Sequence, residues 1–291
     1  MGVMRLGIVA FFFLACTPRE AAVPPSDPQH IPGAAEDTAA IPEPVPDPVA
    51  AAAPQPKAHG HLVSGSDPQE GRLNSRPHAG HPSAQAKGMH KLGLGGERDG
   101  LVFLPTAYDP SRPTPMVVLL HGAGRDADRI MGSFRDRAEA QGIILLAPES
   151  RATTWDIVIQ HKFGDDVAFI DRALAMAFDR WNIDPSRVAI AGFSDGASYA
   201  LSLGLTNGDL FGQILAFSPG FAAPGLVTGT PRVFISHGTH DRVLPINGAS
   251  RRMVPILEST GYDVRYKEFD GDHEIPPNVL DAAFTWLQTG R

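Results

Sequence analysis

The 291-residue chain has a single cysteine, Cys16, so no disulfide can form within it and stability has to come from packing. Basic charge is also short. The 25 Lys and Arg against 32 Asp and Glu give a formal net charge of -7, which argues against a nucleic acid partner because no concentrated basic face has to be accommodated. The apolar stretch near the start, Leu6 to Ala15, is roughly half the ~20 residues of a bilayer-spanning helix. No helical H-E-x-x-H pattern is present, and no lysine-serine or lysine-threonine pair closes the glycine-rich loop at His121-Gly122-Ala123-Gly124. Zinc of the helical type and nucleotide phosphates therefore lack their usual ligands, and neither a metal nor a cofactor is expected.

What the chain does have begins with Met1 to Arg5, a short basic region ahead of the apolar run, which together read as a signal peptide over residues 1–15. Phe13-Leu14-Ala15-Cys16 resembles the processing site of bacterial lipoproteins, so Cys16 is the expected lipidation site. Phe13 departs from the small aliphatic residue usual there, and ordinary signal-peptidase cleavage stays open. Residues 16–87 are dominated by Pro, Ala, Gly, Ser and Asp, with Pro42-Glu43-Pro44-Val45-Pro46-Asp47-Pro48 near the middle. Prolines that remove donors and a shortage of large apolar side chains predict an extended, disordered linker, lipidated or exported. Its expected task is to hold a folded domain off a membrane in the bacterial cell envelope, facing the periplasm or exterior, with secretion as the alternative. His59, His61, His78, His81 and His90 have no compact scaffold to fix them as ligands and read as solvated side chains.

Residues 88–291 carry the features of a catalytic domain. Met116 to Leu120, Ile143 to Ala147 and Arg187 to Ala191 are apolar without period-two alternation, as expected of strands covered on both faces. Further strands are predicted at Leu101 to Pro105, Gln213 to Phe217, Arg232 to Ser236 and Val264 to Phe269. Helical spacing of apolar residues runs over Asp128 to Gln141 and Phe163 to Trp181, with more helices near Ala197 to Leu205, Ala249 to Glu258 and Pro277 to Leu287. The alternation predicts an α/β three-layer sandwich around a mostly parallel sheet, its functional loops at the carboxyl ends of the strands.

Three loops at such ends carry chemistry. Gly192-Phe193-Ser194-Asp195-Gly196 lies between a predicted strand and helix; its glycines permit a sharp turn that exposes the Ser194 hydroxyl. The first buried strand runs into His121-Gly122-Ala123-Gly124, where Ala123 N–H, with Gly124 as the alternative, and Asp195 N–H are the expected oxyanion-hole donors. His121 reads as a brace for that loop. Asp241, in His237-Gly238-Thr239-His240-Asp241, follows another strand, and His273, in Gly271-Asp272-His273-Glu274, follows the next. Ser194, Asp241 and His273 thus stand in nucleophile, acid, base order. Trp155, just after a strand end, is a candidate substrate-pocket wall, with core packing as the alternative.

These motifs resemble the phospholipase/carboxylesterase and dienelactone hydrolase-like families of bacterial α/β hydrolases over about Leu101 to Leu287. Asp195 and Ala197 depart from the glutamine and glycine common there. The resemblance implies the α/β-hydrolase fold and cleavage of small carboxylic esters or thioesters. The residues themselves predict a serine carboxylesterase working through an acyl-enzyme on a small-molecule ester, and the resemblance of Phe13 to Cys16 to a lipoprotein processing site implies membrane attachment through an N-terminal lipid. Two alternatives are a depolymerase or feruloyl-type esterase acting on polymer-linked esters, suggested by export and the spacer, and a non-enzymatic surface binding protein with a hydrolase fold.

Overall fold

A computed structural model describes residues 70–78 and 86–289. The expected signal peptide over residues 1–15, Cys16, His59, His61, His81 and most of the proline-rich segment lie outside the described residues.

Eight strands form one sheet: β1 (Gly88–Lys91), β2 (Gly100–Leu104), β3 (Thr114–Leu120), β4 (Ile144–Pro148), β5 (Ile183–Phe193), β6 (Gln213–Phe217), β7 (Arg232–Gly238) and β8 (Val264–Phe269). Their order is β1-β2-β4-β3-β5-β6-β7-β8; the β1–β2 and β2–β4 pairs are antiparallel and the rest parallel. The helices are α1 (Ala127–Gln141), α2 (Asp156–Gln160), α3 (Asp165–Arg180), α4 (Asp195–Thr206), α5 (Ser250–Ser259) and α6 (Pro277–Gln288).

The continuous apolar strands are explained by two cores, one on each face. Val117, Leu119, Ala189, Ala191 and Leu215 pack with α1 and α6, while their neighbours Met116, Val118, Ile190, Ile214 and Ala216 pack with α3, α4 and α5. Successive strand residues point to opposite faces, so every position of a doubly covered strand must be apolar. This is the α/β-hydrolase fold, a three-layer sandwich.

Residues 70–78 correct the expectation that the linker is unstructured up to residue 87. Leu73 is 2% exposed and joins the α3/α4 core. Its N–H donates to Asn207 Oδ1 at 2.9 Å, and Asn207 Nδ2 donates to the Gly71 carbonyl at 2.8 Å. Arg72 and Arg76 pair with Asp209, at 3.0 and 2.6 Å, and the N–H groups of Asn74 and Ser75 donate to Asp171 of α3. One leucine and a few polar anchors suffice to dock a short strap, too small a signal to alter the composition of the surrounding tract. His78 and His90 have separate partners, Asp179 and the Ala86 carbonyl.

Candidate active site

β5 ends at Phe193 and α4 begins at Asp195, leaving Ser194 to turn the chain at φ 57°, ψ -122°. Positive φ costs a non-glycine residue about 1–3 kcal/mol, so the surroundings have to enforce it. Ser194 N–H donates to the Phe217 carbonyl of β6 at 2.9 Å, and the Ser194 carbonyl accepts from Ala197 and Ser198 in the first turn of α4. The flanking glycines are required by close approach. A Cβ on Gly196 would be driven into the carbonyl oxygens of Leu120 and His121, and one on Gly192 into that of Gly196. Ser198 packs as a support, its hydroxyl accepting from Gly220 N–H at 2.9 Å.

The three residues separated in sequence converge here. Ser194 Oγ lies 2.8 Å from His273 Nε2, and His273 Nδ1 lies 2.6 Å from Asp241 Oδ2. Asp241 is 5% exposed; its Oδ1 accepts the N–H groups of Val243 and Leu244, which fixes the carboxylate before it meets the imidazole. The Phe193 ring lies 4.8 Å from that of His273 and packs beside it.

Two supports went unread in the sequence. His237 is fully buried, with Nδ1 2.7 Å from Ser250 Oγ and Nε2 2.8 Å from the Leu244 carbonyl and 3.2 Å from Asp241 Oδ2. Burial lowers its pKa, favouring a neutral ring that bridges the Asp241 loop to α5. Asp272 ties the acid loop to the base loop, accepting from Arg242 N–H at 3.1 Å and His273 N–H at 2.9 Å and pairing with the Arg242 guanidinium. That arginine holds the Asp272 carboxyl below the usual carboxylate range. His240 faces Asp270 instead, so the two histidines flanking Asp241 do not converge, and among the described residues no three His, Cys, Asp or Glu are placed to hold a metal ion.

The glycine-rich loop abuts Ser194. Gly124 N–H donates to the Thr153 carbonyl at 2.7 Å, whereas Ala123 N–H has no acceptor among the described residues. Of the two expected donors on this loop, Ala123 is therefore the one left open. Asp195 N–H sits in the first turn of α4, where helix geometry supplies no acceptor. The Asp195 carboxylate accepts from Thr154 Oγ1 at 2.6 Å. His121 is buried, accepting Ser150 N–H at Nε2 and lying 2.8 Å from the Gly122 carbonyl at Nδ1, as a brace should.

Trp155 takes the core-packing alternative and does not line the cavity beside His273. It is fully buried, its ring tilted against those of His121 and Tyr199 with centroids 4.9 Å from each, and its Nε1–H donates to the His121 carbonyl at 2.8 Å. A tryptophan that follows a strand end looks like a rim residue in sequence, but here the chain folds it under the loop it supports. Below it, Asp166 accepts the N–H groups of Arg151 and Asp156 at 2.5 and 2.7 Å, and Asp156 accepts Asp166 N–H at 3.0 Å. Burial raises both carboxyls, that of Asp166 to about 6.

A cavity of about 320 Å³ opens beside His273, lined among others by Gly122, Arg125, Arg129, Phe193 and Glu274. Its size suits a small ligand.

Residues 157–290 match the model of the phospholipase/carboxylesterase family. Over that segment the chain is similar to that family. Across the wider α/β-hydrolase fold, the structure of esterase PE8 aligns with a TM-score of 0.55 at 25% identity, covering 66% of this chain and 98% of that one. The phospholipase/carboxylesterase from Dyadobacter fermentans aligns with a TM-score of 0.53 at 23% identity, covering 70% of this chain and 97% of that one. Among curated relatives, feruloyl esterase C of Emericella nidulans is 28% identical over 159 residues, covering 52% of this chain and 57% of its own. An acetylxylan esterase of Coprinopsis cinerea is 28% identical over 182 residues, covering 47% and 49%. The chain spans about half the length of these curated relatives.

Proposed function

We propose that this hydrolase is a serine carboxylesterase. The observation that carries the reading is the continuous contact from Ser194 Oγ through His273 to Asp241, at 2.8 and 2.6 Å. His273 Nε2 takes the Ser194 proton as the hydroxyl attacks the ester carbonyl, and Asp241 holds the imidazole in the accepting tautomer. Ala123 N–H and Asp195 N–H stabilise the oxyanion; loss of one such donor typically costs about 10²–10³ in rate. His273 then hands the proton to the departing alcohol, and water activated at the same nitrogen releases the acid from Ser194.

The connections at the carboxyl ends of the strands support small, accessible esters: α2, five residues long, is the only helix inserted between β4 and α3, and the segment between β6 and β7 has none. Ser194→Ala, confirmed folded by circular dichroism, should lose on the order of 10³-fold or more in kcat on a short-chain nitrophenyl ester. Undiminished turnover by that variant would remove Ser194 from the mechanism.

A second reading concerns the substrate alone. Relatives named feruloyl esterase and acetylxylan esterase favour polymer-linked esters, and release of acid from an esterified polysaccharide, compared with a nitrophenyl ester, decides between them. The basic and apolar leader with Cys16 supports export and lipid attachment. Labelled palmitate should enter the wild-type chain and not Cys16→Ala; equal labelling of both would exclude that cysteine.

A further inference from the structure

The cavity beside His273 holds charge that the reaction itself does not need. Arg125 follows the glycine-rich loop directly and Arg129 stands one turn later on α1; both line this cavity, together with Ser133 and Glu274. Their backbones are fixed. Arg125 N–H donates to the Gly122 carbonyl, the Arg125 carbonyl accepts from Arg98, and Arg129 N–H donates to the Asp126 cap of α1.

Among the described residues their side chains have no such anchor. Arg72, Arg76, Arg137, Arg242 and Arg251 all sit in ion pairs, whereas neither the Arg125 nor the Arg129 guanidinium has a hydrogen-bond or ion-pair partner among the described residues. Glu274 is the one carboxylate lining the cavity, so two cations face one anion there, on a chain whose formal net charge is -7. A guanidinium presents a planar fork of donors that matches a carboxylate or phosphate, and two of them at one mouth favour an anion.

The side of the scissile bond follows from His273. The imidazole that bounds the cavity is the one that protonates the departing alcohol, so a group lodged between it and the two arginines is the alcohol portion of the ester. We infer that Arg125 and Arg129 form an alcohol-side subsite selecting esters whose leaving group carries a carboxylate or phosphate. The inference rests on the esterase reading given above.

The test compares 4-acetoxybenzoate, 4-acetoxyphenyl phosphate, methyl 4-acetoxybenzoate as the neutral partner, and a succinate monoester of a neutral phenol, which places the anion on the acyl side. Wild type, Arg125→Gln/Arg129→Gln, Arg125→Lys/Arg129→Lys and Glu274→Gln are assayed at low and at roughly 0.5 M salt. Loss of charge-assisted contacts should lower the anionic-to-neutral ratio of kcat/KM about tenfold in the glutamine variant. The lysine variant should keep much of the ratio, Glu274→Gln should raise it, and salt should shrink it in wild type. A larger effect on the phosphate than on the benzoate identifies phosphate as the anion, and the reverse identifies carboxylate. An unchanged ratio in the glutamine variant overturns the subsite, and an arginine-dependent preference confined to the succinate ester overturns its assignment to the alcohol side. Absence of turnover on all four esters by folded wild type would instead overturn the esterase reading.

Discussion

Replacing Asp241 by asparagine changes one atom and should silence the site. Asp241 Oδ1 accepts two backbone N–H groups, from Val243 at 2.9 Å and Leu244 at 2.7 Å. An asparagine there has to put its carbonyl oxygen toward those donors, because its NH₂ would otherwise face two N–H groups. The amide nitrogen then occupies the Oδ2 position, 2.6 Å from His273 Nδ1, and donates where the carboxylate accepted. His273 consequently carries its proton on Nε2 and donates to Ser194 Oγ, 2.8 Å away, instead of accepting from it. The wrong tautomer costs about 10⁴ in kcat in a Ser-His-Asp site, or roughly 5–6 kcal/mol of transition-state stabilisation. Because both backbone contacts survive, the fold should survive as well. Initial rates on a nitrophenyl ester, measured beside a thermal melt, check both halves of the statement. A folded Asp241→Asn enzyme within tenfold of wild-type kcat would refute the tautomer argument.

Two further predictions concern stability. Leu73→Ala removes a buried side chain from the strap and should cost about 2–4 kcal/mol, while kcat stays unchanged because the strap meets the far end of α4, some ~18 Å of helix from Ser194; an unshifted melting temperature would mean that the strap does not dock. Asp166 retains its proton in the native state until about pH 6, whereas the unfolded chain gives it up near 4, so its contribution to stability is greatest below about pH 4 and is lost as pH rises to 6. The loss amounts to as much as about 3 kcal/mol, and urea unfolding should show wild type losing ground to Asp166→Asn between pH 4.5 and 7.5; a pH-independent difference would contradict the assigned cause.

The elements most legible in sequence were those that two constraints specified together. β3, β4 and β5 read correctly because strands covered on both faces need uninterrupted apolar residues, and the α1 and α3 patterns agreed with them. The turn at Ser194 was legible because its glycines answer to backbone contacts that no other residue tolerates. What stayed hidden depended on tertiary closeness without a local signature. The five-residue α2 is shorter than any helical period can reveal. The Leu73 strap is one apolar side chain in a proline-rich tract. His237 had no assigned role in the motif before Asp241 until β7 and α5 enclosed it, and the choice between pocket wall and core for Trp155 stayed open because sequence gives proximity to a strand end and not the side toward which the ring turns. The choice between Ala123 and Gly124 required the Thr153 carbonyl, thirty residues away in a loop with no motif of its own.

Catalysis at this site requires that the hydroxyl of residue 194 be activated by its imidazole neighbour. Incubation of the folded protein with a fluorophosphonate, followed by mass analysis of the labelled peptide, tests this directly. One adduct on Ser194, formed quickly in wild type and at least a hundredfold more slowly in His273→Ala, is the expected result. No adduct, or an adduct on Ser194 that forms equally fast without the histidine, would contradict it.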